Sequence, residues 1–264
     1  MPDKDPRRSR ESFNTVAELY ARYRPGYPEA VVEDVVRSAE ISPGSRVLEI
    51  GCGAGQLSVP LAERGAELQA VELGADLARI ARRRLAPFPT AKVHVAAFES
   101  WPLPQEPFDA VVCANAFHWL DPDVRFAQAA TALRPGGRLA IVAPHHVRGD
   151  DPGFFRQTNR CYVRWGLGDD PEWLPPTAEE LSPDYPEIAD CPAFGSVERH
   201  RLEAVRRFTT ESYIGMLRTD SLIIGMEPRE REGFLADLSA VIDRSCGGEV
   251  LWHQVYGVLA AVRQ

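Results

Sequence analysis

Val47-Leu48-Glu49-Ile50-Gly51-Cys52-Gly53-Ala54-Gly55-Gln56 is the stretch whose reading decides the fold of this chain. A short apolar run carrying one acid leads into glycines at 51, 53 and 55, and a helix over about 56–64 follows, ended by Gly65. Strand, glycine turn and helix in that order bring the backbone close to a nucleotide-like ligand, because a Cβ at the glycine positions would block the approach.

Outward from this turn the pattern alternates. Strands are expected at 46–50, 67–72, about 92–96, 109–114 and 138–143, with helices at about 75–85 and 123–133. Arg134-Pro135-Gly136-Gly137 breaks the chain before the fifth strand. The strands are nearly continuous apolar runs, as a parallel sheet covered on both faces requires. Repeated strand–helix–strand units make that sheet doubly wound.

Upstream, residues 1–11 read as a charged arm and Phe13 to Tyr20 has helical apolar spacing. Tyr23-Arg24-Pro25-Gly26-Tyr27-Pro28 forces a loop, and a helix over about Pro28–Ala39 follows with proline at its first position. Downstream, residues 144–195 are rich in Pro, Asp and aromatics, with a helix at Phe154–Trp165 and a capping-box start at Thr177-Ala178-Glu179-Glu180. A sixth strand is expected at about 197–205, then a helix from Thr209 or Thr210 to about 218. Pro228 opens another helix, with Phe234, Leu235, Leu238, Val241 and Ile242 on one face. Gly247-Gly248 turns into a last strand over about 250–262, read as an antiparallel edge strand.

The expected architecture is α/β: a doubly wound, seven-stranded, mostly parallel Rossmann-like sheet with an antiparallel last strand and a helical cap inserted after strand 5. Its divisions are an N-terminal arm and lid (1–40), a ligand-binding core (41–143), the cap (144–195) and C-terminal strands and helices completing the sheet (196–264).

A chain of 264 residues buries a full core as one large α/β domain or a domain plus cap. Its net charge of −8 argues against a protein that grips nucleic acid by its phosphates. Cysteines 52, 113, 161, 191 and 246 form no CxxC pair and no metal-ligand grouping with histidine, so reduced thiols and no metal are expected. Met1 to Arg10 lacks the apolar core of a signal peptide, and no apolar run approaches membrane-spanning length. These features predict a cytoplasmic protein, monomer or homodimer, acting on a small molecule without nucleic-acid or membrane partners.

Two ligands compete for the glycine turn. A dinucleotide fingerprint needs glycine at position 56, where Gln56 stands. Pyrophosphate would also be repelled by a carboxylate beside it, and Glu49 lies there. Glu49 suits a ligand bearing an ammonium and a sulfonium, which describes S-adenosylmethionine. Glu72, twenty-one residues after Gly51, ends strand 2 where a carboxylate accepts the ribose hydroxyls. Dinucleotide folds use the same device, so Glu72 alone does not separate the two ligands.

On these residues the chain resembles the class I S-adenosylmethionine-dependent methyltransferases, within the small-molecule group (methyltransferase type 11) that includes trans-aconitate methyltransferases. Val47–Gly55 is similar to the first motif of that family and Val71-Glu72-Leu73 to the second. Phe98-Glu99 follows strand 3, where the family places residues around the adenine. Phe108-Asp109-Ala110-Val111-Val112 resembles the fourth strand, with Asn115-Ala116-Phe117-His118-Trp119 after it, and Leu133-Arg134-Pro135-Gly136-Gly137 the turn before the fifth. Tyr20, Tyr23-Arg24-Pro25-Gly26-Tyr27-Pro28 resembles the lid over the cofactor. The likeness covers about residues 13–143, and 197–264 in topology only. It implies S-adenosylmethionine as cofactor and S-adenosylhomocysteine as product. The implied binding residues are Glu49, Gly51, Gly53, Gly55, Gln56, Glu72, Leu73, Ala97, Phe98, Asn115, Ala116, Tyr20 and Arg24. Ala96-Ala97-Phe98-Glu99 replaces the Gly-Asp-Ala of many relatives, so backbone contacts and Phe98 packing are expected at the adenine, and no acid is carried over to that role.

Chemistry in an open α/β sheet belongs at the carboxyl ends of the strands. His118 follows strand 4, and His145 and His146 follow strand 5. Methyl transfer is an in-line displacement that alignment greatly accelerates. A base is needed for a hydroxyl, thiol or protonated amine, but not for a carboxylate. His118 is the candidate base, against a packing role under the lid. Tyr27, Trp119, His145, His146 and Arg156 are candidate substrate contacts. Arg156, Arg160 and Arg164 recur at four-residue spacing as a helical stripe, an anion clamp or a solvated face. The expected function is methyl transfer to a small-molecule carboxylate, hydroxyl or amine. The rival is a cyclase or isomerase of the same fold using the cofactor structurally. A nucleic-acid amine methyltransferase is disfavoured, since Asn115-Ala116-Phe117-His118 replaces an Asp/Asn-Pro-Pro-aromatic run.

Overall fold

The computed structural model describes residues 10–149 and 153–264, so residues 1–9 of the expected arm lie outside the described residues. Seven strands form one sheet in the order β3-β2-β1-β4-β5-β7-β6: β1 Arg46–Ile50, β2 Glu67–Glu72, β3 Lys92–Val95, β4 Phe108–Ala114, β5 Leu133–His146, β6 Phe194–Thr209 and β7 Glu249–Arg263. β1 to β5 run parallel. The helices are α1 Ala17–Tyr23, α2 Glu29–Ser38, α3 Ser58–Glu63, α4 Ala75–Leu85, α5 Arg125–Ala132, α6 Gly153–Arg164, α7 Thr210–Leu217, α8 Ser221–Ile224 and α9 Pro228–Ser245.

The strands at the centre are buried along almost their whole length, as a sheet covered on both faces demands. Leu48, Ile50, Val111, Phe117, Leu133, Leu139 and Ile141 form a core that Leu259 and Ala261 of β7 complete. A second core joins Cys161 of α6 to Phe208, Tyr213, Met216, Leu217, Phe234, Leu235, Leu238, Ile242 and Val250. By compactness the described chain divides into two units. One holds residues 10–24, 145–182 and 203–255; the other holds 25–144, 183–202 and 256–264.

Several expectations change in detail. β7 is antiparallel: the Gln264 N–H donates to the Ala193 carbonyl near one end, and the Thr210 N–H donates to the Gly248 carbonyl near the other. It is not the edge strand, however, because it lies between β5 and β6. The edge falls to β6, whose exposed residues alternate with half-buried ones and include Glu198, Arg201, Glu203 and Arg207. A charged outer strand resists pairing with another chain. Arg134–Gly137 does not precede β5 but loops out within it. Register passes from Phe108↔Leu133 to Ala110↔Arg138, and Asp109 holds the bulge by accepting from the Arg134 Nε at 2.7 Å.

Pro28 stands one position before α2 rather than at its first residue, and its carbonyl accepts from the Val31 and Val32 N–H groups. At Thr177 the capping contact forms, with the Thr177 N–H donating to Glu180 Oε2 at 2.8 Å, yet only a turn follows. A true capping box occurs at Thr209, paired with Ser212, and it starts α7.

Candidate active site

β1 and β4 are neighbours, and their carboxyl ends bring the glycine turn beside Asn115-Ala116. Gly51, Gly53 and Gly55 all have positive φ, 66°, 57° and 91°. The glycines are therefore required first by the backbone itself. At Gly51 space matters too: a Cβ would lie 2.5 Å from that of Ala116. Asn115 also sits at positive φ, 56°, and its N–H donates to the Val142 carbonyl at 2.8 Å. That bond fixes the end of β4 against β5.

Two acids converge on this turn. Glu49 is buried, 2% exposed, and its Oε2 has no hydrogen-bond partner. Burial pushes its carboxyl up to about 7; the Ser58 hydroxyl lowers it to a smaller extent and the Glu72 charge raises it further. Glu72 is also buried, at 8% exposure. Its Oε2 accepts the Gly53 N–H and its Oε1 the Gly74 N–H, each at 2.8 Å. Burial raises the Glu72 carboxyl, against the lowering effect of the Gly74, Gly53 and Leu73 N–H groups. Glu72 thus ties the glycine turn to the turn after β2 while each oxygen keeps a further lone pair. Gln56 accepts the Ala54 N–H at 3.0 Å, and its Nε2 is buried without a partner.

Leu73 after β2 and Ala97 after β3 are half-buried. Phe98 starts a short 3-10 turn, Phe98–Ser100, with its ring in the core beside Trp101 and Phe117. The expected packing of that ring on an adenine does not fit this burial, 2% exposure. After β4, Phe117–Trp119 is another 3-10 turn. Its Phe117 is buried in the core, whereas His118 is exposed and tilts against the half-buried Trp119 at 4.8 Å.

A model of the family described as "Methyltransferase domain" matches residues 47–137, the segment that contains this turn. An uncharacterised methyltransferase of Mycobacterium tuberculosis is 29% identical over 213 residues, 81% of this chain and 78% of its own. The structure of a proposed type II methyltransferase from Anaeromyxobacter dehalogenans superposes with a TM-score of 0.61 at 25% identity, covering 92% of this chain and 98% of that one. The matched segment, the relative and the superposed structure together support a class I S-adenosylmethionine-dependent methyltransferase. A methyltransferase of Geobacter sulfurreducens bound to S-adenosylhomocysteine shares the fold, with a TM-score of 0.55 at 15% identity over 96% of this chain and 98% of its own.

In this methyltransferase the expected lid residues are engaged. Tyr20 packs edge-on against Phe13, with the Arg24 guanidinium over its ring. Arg24 donates from Nε to the Thr219 hydroxyl at 2.8 Å and from a terminal nitrogen to the Thr219 carbonyl at 2.9 Å. The Tyr23 ring lies where a Cβ on Gly215 would stand, so α1 seats on α7 through a glycine. Tyr27 meets Tyr256 edge-on at 6.2 Å.

The methyltransferase also has a cavity of about 390 Å³ in the unit holding α6. Phe155, Tyr162, Tyr213, Trp252 and Trp173 wall it, and His146 lines it too. His146 stacks on Trp252 at 3.4 Å, and burial pushes its imidazole down to about 4. His145 is half-buried and outside the lining. Arg156, Arg160 and Arg164 are exposed, and Arg164 pairs with Asp237 at 3.1 Å. The arginine stripe is therefore the solvated face of α6, and Arg156 does not line the cavity. The sequence reading missed Phe155 and Tyr162, although their spacing on α6 was a signal that could have found them. Tyr213 and Trp252 arrive from distant segments and carried no such signal.

Proposed function

We propose that this methyltransferase binds S-adenosylmethionine at the glycine turn after β1 and transfers its methyl group to a small-molecule acceptor. One observation carries the reading: Glu49 Oε2 is buried beside the turn without a partner. A carboxylate buried without a counter-charge is costly, and a cationic ligand relieves that cost. S-adenosylmethionine supplies a methyl group on a sulfonium centre together with an ammonium. Glu49 would neutralise that positive end, and Glu72 would accept the ribose hydroxyls on its remaining lone pairs while keeping the Gly53 and Gly74 N–H groups. The backbones of Leu73, Ala97 and Phe98 would line the adenine side, and Asn115-Ala116 would close the turn from β4. Exposed His118 would take the proton from a hydroxyl or amine acceptor.

Isothermal titration with S-adenosylhomocysteine tests the site. Glu72→Gln keeps one acceptor oxygen, and it is expected to weaken binding by about tenfold through loss of one charge-assisted bond. Unchanged affinity in a folded Glu72→Gln variant would remove Glu72 from the site. Mass spectrometry tests the transfer: a product heavier by one methyl must appear together with S-adenosylhomocysteine. Turnover of an acceptor without S-adenosylhomocysteine would instead mark a cyclase or isomerase.

A further inference from the structure

We infer that the aromatic cavity beside α6 is a binding site for a neutral, planar ring compound carrying a hydroxyl or carbonyl group. No lysine or arginine lines it. Its floor is apolar, with Phe155 and Tyr213 buried and Trp252 covering His146. Ring faces of this kind attract a flat ligand by offset or edge-on stacking.

The polar groups of the wall are mostly spent on one another. The Thr158 hydroxyl donates to the Phe154 carbonyl at 2.9 Å, and the Asn159 amide donates to the Trp173 carbonyl. The Tyr162 and Tyr213 hydroxyls bond each other. His146 Nε2 remains buried without a partner. Burial keeps that imidazole neutral, so it pairs with a neutral hydroxyl or carbonyl and gives an anion no counter-charge. Asp169 and Asp170 lie exposed at the mouth beside Trp173 and Leu222, where they repel a carboxylate. A cation would find no acid among the buried walls. A volume of about 390 Å³ is within the range of small-molecule pockets, which start at about 300 Å³. As the methyl acceptor, the ring compound rests on the function proposed above; as a ligand it does not.

Three probes sharing one ring system test this by quenching of tryptophan fluorescence: 2-naphthol, 2-naphthoate and 1-naphthylmethylamine, at pH 7.5. The neutral naphthol is expected to saturate and to bind at least about tenfold tighter than the anion, which the cavity gives no counter-charge, or the cation, whose hydration the neutral buried walls do not replace. Trp252→Leu removes a reporter tryptophan, so its binding is followed by isothermal titration, and it is expected to abolish saturable naphthol binding while leaving the affinity for S-adenosylhomocysteine unchanged. Leu222→Arg changes an exposed mouth residue, so it leaves the core intact, and it is expected to raise the affinity for naphthoate several-fold. Should Trp252→Leu fail to fold, the naphthol series and Leu222→Arg still decide. Naphthoate or the amine binding as tightly as naphthol would overturn the inference, as would no saturation by any probe. Naphthol binding in a chain that does not bind S-adenosylhomocysteine would sink the proposed function and leave this site standing.

Discussion

Glu49 sets the strongest expectation at the scale of single residues. Its carboxyl has an ordinary value of 4.5 in an unfolded chain and about 7 in this fold, raised by burial. Below pH 4.5 both states hold the proton and folding bears no penalty. As pH rises through 7 the folded state must ionise a buried group, and stability falls by about 3 kcal/mol in all. Glu49→Gln is thus expected to gain about 3 kcal/mol over the parent on moving from pH 4.5 to pH 8, read from urea melts at the two pH values. A cationic ligand reverses the preference and favours the ionised acid. S-adenosylmethionine affinity is therefore expected to rise roughly tenfold between pH 6 and pH 8 in the parent and to stay flat in Glu49→Gln. A flat profile in the parent would count against Glu49 as the cation's partner. Gly51→Ala meets both a φ of 66° and the Ala116 side chain, and a loss of about 1–3 kcal/mol is expected in thermal melts. His118→Asn separates a base from a wall residue: kcat falls about 100-fold or more for a base and stays near the parent value for a wall.

Among elements, the seat of α1 on α7 is the joint most open to test. Gly215→Val places a branched side chain against the Tyr23 ring. Faster hydrogen exchange is expected over residues 17–23, with exchange at the glycine turn unchanged. Thr209→Ala removes one half of the capping box on α7 and is expected to cost about 1 kcal/mol. Strand and helix identities were largely legible, because β1, β2, β4 and α4 follow buried runs and amphipathic spacing closely. The position of β7 was not. Strand order is decided by which hydrogen-bonding edge each strand meets, and a sequence carries no record of that. The alternating charges of β6 were the one available hint that it, and not β7, takes the edge. The turn at Thr177 failed as a helix for a comparable reason. A cap contact satisfies one N–H, but a helix needs a buried face to hold it.

For the whole molecule, a net charge of −8 predicts weak interaction with polyanions. A labelled single-stranded DNA is expected to show no retardation at 0.15 M salt, and a dissociation constant below about 1 μM would contradict this. Among the described residues no helix is long and apolar enough to cross a membrane. The sequence by itself determined the parallel α/β core, the glycine turn and the two acids on it, and with them the likeness to methyltransferases. Those features depend on local conformation and on residues close in the chain: positive φ favours glycine, and a strand buried on both faces must be apolar. Only the tertiary structure decided that Glu72, expected as an acceptor for ribose hydroxyls, also braces the glycine turn, that the arginine stripe of α6 points to solvent, and that Tyr213 and Trp252 join α6 around one cavity. Each of these depends on groups brought together from far apart in the chain, and burial and pairing of that kind are set by packing rather than by spacing.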